Sequence, residues 1–175
     1  MYRNQLQHVI LEIGRRFNLK DIYIVGSAAI LAAMPDPPEG ELTATRDVDV
    51  IAPYDEERLG DQISFVLGEA SDFDAEHGYY AQGVTSETPE YAPRDWRSRT
   101  IDIQVSGTVG RCMDPNDVVL SKLGAGRPKD LRFASAAASL DLIRRRILLD
   151  RLEHVDCSDQ MRKLITDRIT ATFAA

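Results

Sequence analysis

Two short motifs near the start of the chain contain residue types suited to phosphate and metal chemistry. The first, Gly26-Ser27, lies between the apolar segment 21–25 and the alanine-rich segment 28–33. These two segments are typical of a strand and of the start of a helix. A turn from strand to helix leaves backbone N–H groups at the positive end of the helix dipole, and this suits a phosphate. Gly26 lets a phosphate approach the backbone closely, and Ser27 is placed to cap the helix, an interaction of about 1 kcal/mol.

The second motif, Asp47-Val48-Asp49, predicts a pair of carboxylates on one face of a strand. Residues i and i+2 of a strand share a face, so Val48 points into the core while both acids point the other way. Adjacent carboxylates repel each other unless a cation neutralises them, and ligand sets made only of oxygen suit Mg²⁺. A solvated strand face is the alternative. Together with Gly26-Ser27, the pair favours metal-dependent phosphoryl chemistry with Mg²⁺ or Mn²⁺.

The combination of these motifs resembles the nucleotidyltransferase superfamily related to DNA polymerase β. More narrowly, segments 26–31 and 43–50 are similar to small bacterial nucleotidyltransferase-like proteins allied to the AbiEii-type toxins. Segments 77–84 and 120–130 extend the similarity, which covers roughly residues 20 to 135. One departure is the spacer between the two motifs, which is longer than in many members and rich in proline.

The resemblance implies roles for three carboxylates. In that superfamily two carboxylates bind both metal ions, and a third helps to activate the attacking hydroxyl. Two metal ions would stabilise both the attacking and the leaving oxygen. Asp47, Asp49 and Asp102 are the catalytic and metal-binding candidates. Asp102 joins the other two only if its strand neighbours theirs, and the alternative is an exposed acid on an edge strand.

The resemblance also implies a set of nucleotide-binding residues: Gly26, Ser27, Arg46, Lys122 and Arg127. Ser27 would donate a hydrogen bond to a triphosphate, as its counterpart does in the family. Lys122 and Arg127 lie in the segment that resembles the family's post-catalytic helix, where cations could neutralise the β- and γ-phosphates. The alternative for both is a solvated helix face.

The segment before Asp102 contains Trp96, Arg97 and Arg99. An aromatic ring with arginines could stack on a base or hold a nucleic-acid acceptor. We favour the other interpretation, that these residues anchor a loop to the core.

Hydrophobic periodicity predicts an α+β fold, a small mixed sheet flanked by helices and followed by a helical C-terminal part. We expect a nucleotidyltransferase-like core at 1–112 and the helical part, packed on the same domain, at 113–175. The predicted strands are 21–25, 47–51, 73–84 (as one strand or two) and 100–105, and the predicted helices are 3–18, 28–33, 55–68, 115–123, 128–152 and 158–173.

Composition limits the classes of function. With 43% hydrophobic and 28% charged residues, the chain is ordinary for a globular domain. A net charge of −7 argues against broad binding to nucleic acid. Two cysteines provide neither a disulfide framework nor a zinc pattern. We expect no membrane span and no signal peptide, and therefore a cytoplasmic location.

The sequence thus predicts a Mg²⁺-dependent nucleotidyltransferase that moves a nucleoside monophosphate from an NTP such as ATP to an acceptor hydroxyl. An RNA end, a protein or a small molecule could be the acceptor. By resemblance, a role as a toxin with an antitoxin or other partner protein is also open. The alternative is a catalytically inactive domain that binds a nucleotide or a protein. The sequence leaves the oligomeric state open.

Overall fold

The computed structural model describes residues 1–174, and within them the predicted α+β class is confirmed. The strands are β1 (Asp21–Val25), β2 (Asp47–Ile51), β3 (Tyr80–Val84), β4 (Ile101–Val105) and β5 (Thr108–Cys112). The α-helices are α1 (Arg3–Phe17), α2 (Glu56–Leu67), α3 (Asp72–His77), α4 (Pro115–Ala125), α5 (Pro128–Ser139), α6 (Arg145–Leu152) and α7 (Asp159–Thr172). Two 3₁₀ helices cover Ser27–Ala32 and Trp96–Arg99.

The strands form one mixed sheet in the order β3-β2-β1-β5-β4 across the described residues. β1 pairs antiparallel with β2 and parallel with β5. β3 is parallel to β2, and β4 is antiparallel to β5. Consequently β1 and β5 separate β2 from β4, and β3 and β4 are the two edges of the sheet.

The two faces of the sheet differ in burial because side chains alternate along each strand. On one face Ile22, Ile24, Val48 and Val50 are fully buried. Helix α1 covers this face, since the side chains of its Ile10 and of Ile24 both lie against the backbone of β5. The opposite face of β2 carries its two polar side chains, which are only half-buried. The sequence pattern of β2 therefore separates a core face from a face available for chemistry.

The helical C-terminal part is joined to the rest of the molecule by a buried ionic cluster. Asp117 of α4 has a side chain with no exposed surface and lies 3.1 Å from Nε of Arg99 and 3.1 Å from Nη1 of Arg151. These arginines belong to the second 3₁₀ helix and to α6, so one carboxylate connects three elements. Burial raises the pKa of Asp117, and the two arginines oppose that shift. The division into parts at 112/113 stays a prediction.

Several predictions about elements were wrong, and local capping explains the first of them. Segment 73–84 begins as helix α3, because Ser71 caps the helix at Asp74 and Gly78 ends it with a positive φ of 74°. The helix predicted over 128–152 is broken after Ser139. Strand β5 was not predicted. It follows a two-residue turn at 106–107 in which both residues have positive φ.

The segment that follows β1 is a 3₁₀ helix of six residues rather than the start of an α-helix. Within the described part of the chain, no helix combines the length and apolar character needed to cross a membrane.

We predict that Asp117→Ala lowers the free energy of unfolding by about 1–3 kcal/mol, because Arg99 and Arg151 lose their shared buried partner but keep Asp95 and Asp114. Urea denaturation followed by circular dichroism measures this change. Asp150→Ala is the matched control, since it removes a carboxylate from a solvent-exposed pair with Arg146. We expect it to cost less than about 1 kcal/mol. Equal losses in the two variants would contradict a special role for Asp117.

Candidate functional site

A cavity of 680 Å³ lies between the polar face of β2 and helices α4 and α5. Its volume is in the range of small-molecule sites. Most of the site residues predicted from the sequence line it: Gly26, Ser27, Arg46, Asp47, Asp49, Lys122 and Arg127. The fold therefore gathers into one cavity groups that are up to a hundred residues apart in the chain.

Asp47 and Asp49 lie on the same face of β2, as the sequence predicted, and both line the cavity. The hydroxyl of Thr45 donates a hydrogen bond to Oδ1 of Asp47. This contact fixes the orientation of the Asp47 carboxylate.

The Asp49 carboxyl group is the most perturbed acid in this cavity. Burial, together with the negative charge of Asp47, raises its pKa to about 6. The charges of Lys122, Lys129 and Arg127 work in the opposite direction. A raised pKa for one member of the pair was predicted, and it is confirmed. The pair is thus electrostatically unfavourable by itself and favours the arrival of a cation or a proton.

Gly26 is needed for a reason that the sequence did not reveal. It has a φ of 67°, and a Cβ placed there would lie 2.2 Å from Oδ2 of Asp49. Glycine at this position therefore allows both the left-handed backbone and the close contact with the Asp49 carboxylate. Any other residue at 26 would displace Asp49.

The 3₁₀ helix after Gly26 changes the expected origin of anion binding. It begins at Ser27 itself, with Gly26 at the N-cap position, so the capping role considered for Ser27 is wrong. Six residues of 3₁₀ helix also provide a weaker dipole than a long α-helix would. Attraction for a phosphate must come mainly from cationic side chains.

Those cations belong to α4 and to the residues around the start of α5. The side chain of Lys122 is only 12% exposed, and its Nζ lies 3.3 Å from Oδ1 of Asp130 and 4.5 Å from the ring centroid of Phe133. Burial lowers the pKa of Lys122, and the Asp130 charge opposes that shift. Nε of Arg127 is 2.6 Å from Oδ2 of Asp130. One carboxylate thus holds two cations beside the Asp pair.

Asp130 was not among the site residues predicted from the sequence, which left open whether it forms a surface pair with Lys129 or orients the site. Its side chain has no exposed surface. Burial alone would raise its pKa, but hydrogen bonds from Arg127 and the charge of Lys122 outweigh that effect and lower it. The available signal was the spacing, since Asp130 follows Arg127 by three residues across the start of α5, where side chains three apart are neighbours.

Arg46 lines the cavity, but its charge already has partners. Its Nη2 lies 2.7 Å from Oδ1 of Asp74, and its Nε donates to the carbonyl of Gly78 at 2.9 Å. The guanidinium therefore connects β2 to α3. Its predicted contact with a nucleotide stays a prediction.

The prediction that Asp102 completes a carboxylate triad is wrong. Asp102 lies on edge strand β4, with β1 and β5 between it and β2. Three strand spacings alone place it at least about 14 Å from the Asp pair. Its carboxylate instead lies 3.6 Å from Nη1 of Arg111. Asp102 could have joined the Asp pair only if β4 were the neighbour of β2. The parallel pairing of β1 with β5 places two strands between them.

Strand β3, the outer neighbour of β2, places polar but uncharged side chains beside the Asp pair. Tyr80 of β3 is opposite Asp47, and Gln82 is opposite Asp49. Burial and the Asp47 charge raise the pKa of the Tyr80 phenol. Tyr80 therefore remains a hydrogen-bond donor at neutral pH and lines the cavity as such.

Trp96 and its neighbouring arginines lie outside this cavity and stabilise the loop that precedes β4. Trp96 is buried and meets the Tyr23 ring edge to face at 5.5 Å. The Arg97 guanidinium covers both rings, at 5.0 and 5.2 Å. The interpretation that these residues anchor a loop is confirmed.

The donor set fits Mg²⁺ only in part. In residues 1–174, no group of three or more His, Cys, Asp or Glu side chains is arranged to hold a metal ion. Mg²⁺, however, commonly binds one or two carboxylates and completes its shell with water and substrate phosphates. Asp47 and Asp49 meet that smaller requirement.

A family model described as "Nucleotidyltransferase of unknown function (DUF6036)" matches residues 4–173, nearly the whole chain. No curated protein and no solved structure matches the chain.

We predict that Asp49→Asn stabilises the metal-free protein at pH 8 but not at about pH 4. The folded state keeps the Asp49 proton up to a pKa of about 6, whereas an unfolded chain loses it near 3.9. The native state therefore binds more protons in this interval, and stability falls as pH rises from about 4 to 6. Asparagine cannot ionise and avoids this loss.

Thermal unfolding in EDTA at both pH values measures the effect. Asp167→Asn, an exposed change on α7, is the control and should shift the melting temperature little at either pH. A pH-independent effect of Asp49→Asn would contradict the electrostatic explanation.

Proposed function

The chain belongs to the DUF6036 family of nucleotidyltransferases of unknown function, and on that premise we propose that it is an active Mg²⁺-dependent nucleotidyltransferase. It transfers a nucleoside monophosphate from an NTP to an acceptor hydroxyl and releases pyrophosphate. The observation that carries this proposal is the meeting of opposite charges in one cavity. The Asp47–Asp49 pair faces Lys122 and Arg127 across it.

Each group has a role that follows from its charge. Asp47 and Asp49 would hold Mg²⁺, which supplies charge neutralisation for phosphoryl transfer. Lys122 and Arg127 bind and orient the triphosphate, because both line the cavity and their positive charges already act on Asp49. Asp130 keeps both cations at fixed positions through its buried carboxylate. Since residues 1–174 contain no group of three carboxylates arranged to hold a metal ion, metal binding should depend on the phosphates of the nucleotide.

The acceptor enters, in this proposal, on the side of Tyr80. This side chain lies opposite Asp47 on β3, lines the cavity and offers a hydrogen bond to a hydroxyl group, whereas the Gln82 amide already donates to Oγ of Ser64 on α2. An RNA end, a protein side chain and a small molecule all present such a group. A toxin role with a partner antitoxin is one form that this activity could take.

One observation favours the alternative of an inactive nucleotide-binding domain. Among the described residues, Asp47 and Asp49 have no third carboxylate beside them on β1 or β3. Such a domain would bind NTP through Lys122 and Arg127 without turnover. The transfer assay separates these two functions directly.

We expect incubation with a labelled NTP, Mg²⁺ or Mn²⁺, and either total RNA or cell protein to transfer label to an acceptor. Asp47→Asn and Asp49→Asn should each reduce the transfer rate by at least about 10²-fold, because each removes charge stabilisation in the transition state. Asp167→Asn should keep the wild-type rate. Tight NTP binding without transfer to any acceptor would favour the inactive domain, and wild-type rates in both site variants would contradict the assignment.

We predict that Lys122→Met weakens NTP binding about 10-fold or more, through loss of a largely buried cation that contacts phosphate. Lys163→Met, on the exposed face of α7, is the matched control. Isothermal titration with a non-hydrolysable NTP analogue and Mg²⁺ measures both affinities. A folded Lys122→Met variant with unchanged affinity would exclude Lys122 from the nucleotide site.

A further inference from the structure

The two edge strands of the sheet, β3 and β4, differ in how far the rest of the molecule covers them. At edge β3, the N–H of Gly83 donates to Oγ of Ser64 on α2 at 2.9 Å, and α2 packs along the strand. At edge β4, no hydrogen bond from any of residues 1–174 reaches the outward backbone groups of Asp102 or Gln104. One edge is therefore covered, whereas the other remains open for pairing.

The hairpin geometry determines which groups of β4 face outward. Val105 is paired with Thr108 across the two-residue turn Ser106-Gly107, so these two residues exchange backbone hydrogen bonds. In an antiparallel ladder such pairs alternate, and therefore Ile103 also bonds to β5. The N–H and C=O groups of Asp102 and Gln104 must then point away from the sheet.

The sequence of β4 is self-complementary about its central residue. Reading outwards from buried Ile103, each side has an exposed polar residue and then a half-buried apolar one. The polar residues are Asp102 and Gln104, and the apolar ones are Ile101 and Val105. An antiparallel copy of the same strand, rotated about Ile103, would present the same pattern in return.

We propose that β4 pairs with β4 of a second copy of this chain across a two-fold axis at Ile103. Asp102 then lies opposite Gln104 of the second copy, and Gln104 lies opposite Asp102 of that copy. Both are outward-facing residues, so both pairs can exchange backbone hydrogen bonds. Each Asp102 carboxylate accepts from a Gln104 amide, and no two like charges are opposed. The pairing therefore avoids local charge repulsion, although each chain carries a net charge of −7.

The pairing produces a continuous two-fold symmetric sheet with ten strands. The interface involves one strand of five residues per copy, which places it among small, weak interfaces. Strand β2 is three positions away from the pairing edge, so both cavities remain open in the dimer. The inference is independent of the proposed enzymatic activity.

Sedimentation equilibrium over a wide range of protein concentration tests the association. Hydrogen exchange on the same samples tests its location. We expect a reversible monomer–dimer equilibrium and slower exchange of the Asp102 and Gln104 amides as concentration rises. The Ile103 amide, already bonded to β5, should be protected at all concentrations.

Two opposite substitutions test the register. Gln104→Asp places carboxylates directly opposite each other twice and should weaken the dimer about 10-fold, because like charges facing across a ladder are destabilising. Gln104→Lys places a cation opposite each Asp102 and should tighten it, with a dependence on salt. Gln160→Asp, the same chemical change on the exposed surface of α7, should leave the dimer unchanged.

A protein that remains monomeric at its highest soluble concentration overturns the proposal. A dimer whose dissociation constant is the same in the wild type, Gln104→Asp and Gln104→Lys also overturns it, because the interface must then lie elsewhere. Circular dichroism confirms that each variant is folded before its association is compared.

Discussion

The candidate site depends on a balance between one pair of carboxylates and three cations. Asp47 and Asp49 share a face of β2, and burial together with their mutual repulsion raises the pKa of Asp49. Lys122, Lys129 and Arg127 oppose this effect from the helical part. The fold therefore brings opposite charges from the sheet and from the helices to one cavity.

Each half of this balance has its own support. Gly26 leaves room for the Asp49 carboxylate, and the hydroxyl of Thr45 orients Asp47. On the other side of the cavity, the Asp130 carboxylate accepts hydrogen bonds from Lys122 and Arg127. Thr45 and Asp130 therefore hold side chains on both sides of the cavity in position before any ligand arrives. Such preorganisation is the usual requirement for electrostatic catalysis.

The sequence correctly predicted features that depend on local residue patterns. It failed for features that depend on which distant strands pair with each other. The alternation in Asp47-Val48-Asp49 was sufficient to place both acids on one face. The position of Asp102 depended on which strands are neighbours, and β5, whose turn signal at Ser106-Gly107 was overlooked, occupies the place beside β1. Asp130 was left out of the predicted site because its burial arises from the packing of α5 on α4, whereas its neighbours Lys129 and Leu131 are exposed.

The central position of β1 has a consequence for synthesis on the ribosome. Its partner β2 follows closely in the chain, but its other partner, β5, begins 87 residues after β1 begins. At 5–20 residues per second, the ribosome needs roughly 4 to 17 s to supply that partner. During this interval one edge of β1, the most apolar strand, has no partner strand for its backbone hydrogen bonds. The nascent chain is therefore most exposed to mispairing and to chaperone capture while residues 26–108 are being translated.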